Sequence, residues 1–189
     1  MDNVSPPSAE VVNDVPGNHP AGPAESAVEQ VIRAKAGDYL TFHLAGELHA
    51  VPVTQVHGVL ALPTITIVPN LPIFMRGVIH HEGAIVPVMD LALRLGMEAT
   101  VAASETCVIL VRVPHGGRTL TMGMIVSEVQ DVVVFDNQHL LPPPEFGVRL
   151  DTRFLLGLVR HDSGAVTLLL DLERVLNEAE LILAVGSAQ

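Results

Sequence analysis

The sequence predicts an all-β fold built as small barrels or a sandwich, and three observations carry that reading. The apolar runs are short, about five to eight residues, which is strand length rather than helix length. Glycine, proline and asparagine separate them closely, as turns do between antiparallel neighbours. Helical periodicity is confined to two stretches, "LALRLG" after Asp90 and "DLERVLNEAELILAV" from Asp171, where Leu172, Val175, Leu176, Ala179 and Leu183 recur at helical spacing. The second predicts a C-terminal helix.

Residues 1–36 stand outside that pattern. They hold Pro6, Pro7, Pro16, Pro20 and Pro23 and no aromatic residue, so they bury too little apolar area to offset ordering entropy and are expected to form a disordered tail. Ala27, Val28, Val31 and Ile32 would share one side of a short helix, which is marginal on its own. Residues 37–185 are expected to form the folded domain. "DYLTFHLAGELHAVPV" alternates around Ala45-Gly46-Glu47, predicting a hairpin with Leu40, Phe42 and Leu44 on one face. "VHGVLAL" predicts the next strand, and "GVIHH" and "IVPVMDL" predict a second hairpin that turns at Gly83. "TCVILVRV" and "TLTMGMIVSEVQDVVVF" flank "PHGG", which reads as a hairpin loop; "FLLGLVRH" and "AVTLLLDL" complete the series. Alternation places Val86, Val88, Ile109, Val111, Leu168 and Leu170 in the interior. No internal repeat of fixed period is evident.

Composition excludes several function classes. The formal net charge is −11 and Lys35 is the only lysine, so the basic surface that a phosphate backbone requires is absent and nucleic acid is not an expected partner. No apolar run approaches the roughly 20 residues of a membrane span, and the N-terminus lacks the basic and apolar regions of a signal peptide. A cytoplasmic protein without direct membrane insertion is expected. The single cysteine, Cys107, lies in an apolar strand run and reads as a buried small hydrophobe.

Enzymatic chemistry lacks its parts. There is no G-x-S-x-G, no phosphate-binding G-x-x-x-x-G-K-[ST] and no H-E-x-x-H. His80 and His81 are adjacent in a strand and point to opposite faces, so both cannot ligate one ion without distortion. A metal-dependent enzyme would instead need His43 and His49 to face each other across the first hairpin, with His57 as third ligand. Asp90 and Asp171 each precede a leucine-rich segment and read as helix N-caps. The reading is non-catalytic, with no cofactor and no metal.

The order of segments is specific. G-V-I-x-x-x-G-x-I-V-P-V-x-D-L spans Gly77 to Leu91, V-x-x-V-x-D-V spans Val126 to Val132, and L-L-D-L spans Leu169 to Leu172. From about Gly37 to Leu183 the chain resembles the CheW family of chemotaxis coupling proteins. That resemblance implies two five-stranded β-barrels packed on a shared core, with short helices. It also implies a non-catalytic adaptor linking a CheA-type histidine kinase to the cytoplasmic tips of methyl-accepting chemoreceptors. The protein would be recruited to membrane-associated receptor arrays, for flagellar chemotaxis or another chemosensory output such as pilus motility. The partner-binding residues it implies are Val56, His57, Gly58, His81, Glu82, Val126 and Val129. Two positions depart from the family. Its hairpin tip usually reads N-x-R-G, whereas this chain has His80-His81-Glu82-Gly83; its V-x-E-[IV] segment is here Val56-His57-Gly58-Val59. If those charged positions act together, their joint replacement retunes partner choice; the alternative is that both are exposed positions that drifted.

Overall fold

The structure, a computed structural model, describes residues 33–115, 118–143 and 150–176. Strand β1 (Gly37–Leu44) turns back into β2 (Glu47–Pro52) through Ala45 and Gly46, whose φ values of 47° and 82° suit the right-handed twist of a two-residue hairpin. A 3-10 turn leads to β3 (Val56–Ala61). Strands β4 (Met75–His81) and β5 (Ala84–Asp90) form the second predicted hairpin, turning at Glu82 (φ 50°) and Gly83 (φ 79°). Asp90 caps helix α1 (Leu91–Arg94), accepting from the backbone N–H groups of Ala92 and Leu93. Strands β6 (Cys107–His115) and β7 (Arg118–Val126) pair antiparallel throughout, as expected of a hairpin, although residues 116 and 117 lie outside the described residues. The remaining strands are β8 (Glu128–Phe135), β9 (Leu140–Leu141), β10 (Leu155–Arg160) and β11 (Val166–Leu170). Asp171 then caps α2 (Leu172–Val175), and the rest of the predicted C-terminal helix lies outside the described residues.

The strands assemble into a six-stranded sheet ordered β8-β1-β2-β11-β10-β9 and a five-stranded sheet ordered β3-β6-β7-β5-β4. The sixth strand is the two-residue β9. All-β architecture in two halves agrees with expectation, but neither half closes into a barrel, because no ladder among the described residues joins the end strands. Each sheet nevertheless curls. Leu60 of β3 and Ile79 of β4 belong to opposite ends of one sheet yet pack in the same apolar cluster with Val88, Val108 and Leu110. In the other sheet, Phe135 of β8 shares a cluster with Val159 of β10. A larger cluster joins the two sheets, including Phe42, Leu44 and Val51 from one and Ile109, Val111, Met122 and Met124 from the other. The central strands are therefore buried on both faces, which explains why "TCVILV" is a continuous apolar run. All six interior positions predicted from alternation are buried.

Segment order along the chain is not sheet order. Strands β1 and β2 pair with one another, and β2 alone then pairs in parallel with β11; the strands of the second sheet lie between β2 and β8 in the chain. The two sheets also share one wiring: antiparallel, antiparallel, parallel, antiparallel, in the series β8-β1-β2-β11-β10 and β3-β6-β7-β5-β4. Register slips recur at equivalent places, Met75/Gly77 and Leu155/Gly157. Asp90 N–H donates to the Phe74 carbonyl and Asp171 N–H to the Phe154 carbonyl, both at 2.8 Å. An internal repeat therefore exists, hidden because its equivalences are interleaved and its side chains have diverged. Arg94 joins the halves. Its guanidinium carbon lies 5.0 Å from the ring centroids of both Phe74 and Phe154, and its Nε donates to the Val175 carbonyl at 2.7 Å.

The tail boundary needs correction. Arg33, expected in the disordered segment, pairs with Asp171 at 2.6 Å and donates its backbone N–H to Leu156, and Ala34 is buried. Residues 33–36 thus belong to the fold, because a cation meets the otherwise buried cap carboxylate. Residues 1–32 lie outside the described residues.

Candidate functional site

The seven implied partner residues divide by burial. Val56 opens β3 and Val129 belongs to β8; both are half-buried against the central cluster that joins the sheets, so they mark its seam. His57 is exposed, and its Nε2 accepts from Arg112 at 2.9 Å. A Cβ built on Gly58 would meet nothing within 4 Å, so crowding does not forbid an acidic side chain there. At the β4–β5 turn, Glu82 is 74% exposed and its Oε1 lies 3.9 Å from Nε2 of half-buried His81. Val126 is a correction: at 0% exposure it ends β7 inside the core and cannot touch a partner. The V-x-x-V pattern that pointed to it marks a strand end as well as a surface, and only the sheet stacking separates the two.

Strand β3 and the β4–β5 turn sit at opposite ends of the five-stranded sheet, and among the described residues no hydrogen bond or ion pair joins His57 or Gly58 to Glu82. The metal alternative also loses its geometry. His43 is registered against Leu48 and His49 against Phe42, so the two imidazoles point to opposite faces of the hairpin. Among the described residues no group of three His, Cys, Asp or Glu stands ready to hold an ion. Burial pushes the Cys107 thiol up, outweighing a backbone hydrogen bond that acts the other way, which is opposite to what a nucleophile needs.

Sequence reasoning passed over a second surface. Between β3 and β4, "LPTITIVPNLPIF" forms little ladder beyond the bridge of Thr66 to Val78. It lines a groove of about 570 Å³ with Ile65, Ile67, Ile73, Met75, Arg76 and Leu93 among its walls. Ile67 and Ile73 are 83% and 80% exposed, unusual for isoleucine. The available signal was an apolar stretch, broken by prolines, that no strand assignment absorbed.

The CheW-like domain family model matches residues 38–180. The chain belongs to the CheW-like domain family. It is 30% identical to the chemotaxis protein CheW of Klebsiella aerogenes over 146 residues, covering 77% of this chain and 85% of that one. It is 28% identical to the chemotaxis protein CheW of Bacillus subtilis over 139 residues, covering 74% and 86%. Among solved structures, the scaffolding protein TtCheW of Thermoanaerobacter tengcongensis superposes with a TM-score of 0.67 at 29% identity, covering 75% of this chain and 93% of that one. Proteins of the CheW-like family are non-catalytic adaptors, and this chain is a chemotaxis-type scaffold rather than an enzyme. Among the described residues no helix is long and apolar enough to cross a membrane.

Proposed function

We propose that residues 37–185, together with the ordered residues 33–36, couple the cytoplasmic tips of chemoreceptors to a CheA-type histidine kinase. The observation that carries the reading is that a CheW-like fold presents two separate accessible surfaces on one body. The seam surface, with Val56, His57, Gly58 and Val129 and with the His81-Glu82 turn at its margin, faces the receptor. The isoleucine groove, on a different part of the five-stranded sheet, is an apolar surface separate from the seam and faces the kinase. A body that holds two partners at separate patches fixes their mutual geometry, so a receptor change biases the kinase through differential contacts. The protein acts in the cytoplasm, at receptor arrays. The test is co-sedimentation with receptor-bearing membranes and purified kinase. The kinase should pellet with the membranes only when the adaptor is added, and Ile73→Asp should leave the adaptor on the membranes while the kinase stays in solution. Kinase recruitment that survives both Ile67→Asp and Ile73→Asp would remove the groove assignment.

A further inference from the structure

The chain holds 21 acidic and 10 basic residues, and among the described residues four arginines face carboxylates: Arg33 and Arg174 meet Asp171, Arg76 meets Asp90, and Arg153 meets Asp151. Arg112 does not. It is exposed, and its NH2 donates instead to Nε2 of His57 at 2.9 Å. A nitrogen that accepts carries no proton, so in this arrangement the imidazole proton sits on Nδ1. The backbone builds the pair. The β3–β6 register slips between Val56 and Gly58, so His57 is the bulged residue, set beside the β6 segment where Arg112 follows Val111. Strand β3 is an end strand, its outward residues are His57, Val59 and Ala61, and β7 places Thr121 directly opposite Arg112.

A guanidinium carries five N–H donors in a rigid fork, and one hydrogen bond to His57 leaves an edge for bidentate pairing. We infer that Arg112, held in place by His57, receives a carboxylate from an acidic partner segment, with 44%-exposed Val59 taking an adjacent apolar side chain. Arg112 makes the contact; His57 is a positioning residue that limits the guanidinium's rotation by accepting one of its hydrogen bonds. The net charge of −11 does not override this, because charges farther than about 8 Å are largely screened at physiological ionic strength and the local pair decides. The inference rests on the receptor-facing assignment of the seam and adds the chemistry that the seam recognises.

The full chain is titrated by calorimetry with a cytoplasmic-tip fragment of the receptor that co-purifies with it, and the Arg112 Nε–Hε resonance is followed by NMR. Arg112→Glu should weaken binding by about tenfold or more, as loss of a charge-assisted hydrogen bond does, and flatten its salt dependence. Introducing arginine at the matching acidic position of the fragment should restore binding to that variant. His57→Phe should weaken binding severalfold, and His57→Gln, which keeps an acceptor oxygen, should recover most of it; circular dichroism confirms that each variant is folded. If the unaltered chain binds the fragment while Arg112→Glu binds equally well and the Nε–Hε resonance does not move, the carboxylate fork is wrong and the receptor-facing seam stands. If the unaltered chain does not bind the fragment, both fall.

Discussion

Acid should destabilise this protein through one buried imidazole, His49. It lies on β2, between β1 and β11 at the centre of its sheet, is 0% exposed, and stacks on Phe42 with ring centroids 6.1 Å apart. Its Nδ1 donates to the Glu47 carbonyl at 3.0 Å, while Nε2 is buried without a hydrogen-bond partner. Burial lowers its pKa from 6.5 to about 4; the Glu47 carbonyl opposes that shift and His43 adds slightly to it. Above pH 7 the imidazole is neutral in both folded and unfolded chains, so it contributes no pH dependence. As pH falls below 6.5 the unfolded imidazole takes up a proton that the folded one refuses until about pH 4, so stability is lost across that window. At 1.36 kcal/mol per pH unit, the loss at pH 4 is about 3 kcal/mol. Urea unfolding of the unaltered chain and of His49→Leu, at steps from pH 7.5 to 4, isolates this effect because other titrating groups cancel between the two proteins. The unaltered chain should lose about 3 kcal/mol more than the variant. Parallel pH curves would refute the buried, half-satisfied imidazole.

Three further predictions concern the fold and the turn. A Cβ at Gly77 would overlap the backbone carbonyl of Thr66, and its φ is 133°, so Gly77→Ala should cost about 3 kcal/mol or more; Gly83→Ala, with open space but φ 79°, should cost about 1 kcal/mol, both read from urea midpoints. Arg94→Met should lose about 2–4 kcal/mol, the combined scale of two cation–π contacts and a charged hydrogen bond, and a loss below about 1 kcal/mol would show that Arg94 does not tie the halves together. Glu82→Arg should change stability by no more than about 0.5 kcal/mol, because the side chain is 74% exposed, yet alter receptor affinity in a salt-dependent way. Receptor titrations at two salt concentrations that superpose with those of the unaltered chain would reduce Glu82 to an ordinary turn residue.

What the sequence determined by itself was local. Hairpins at Ala45-Gly46 and Glu82-Gly83, caps at Asp90 and Asp171, and buried residues such as Ile109 and Leu170 follow from turn chemistry, capping and side-chain alternation, each of which acts within a few residues. The family, too, was legible, because its motifs are strand-and-turn words with fixed spacing. Tertiary structure decided whatever depends on residues far apart in the chain. The pairing of β2 with β11, the equivalence of the two sheets and the reach of Arg94 between Phe74 and Phe154 come from packing, which leaves no periodic trace in sequence. The same holds for the site. Val126 and Val129 look alike in "VSEV", yet one ends a strand inside the shared core and the other lies at its margin, because the chain passes there from one sheet to the other. Arg112 gave no sequence signal, since its meaning comes from a bulge on a neighbouring strand that sets His57 beside it.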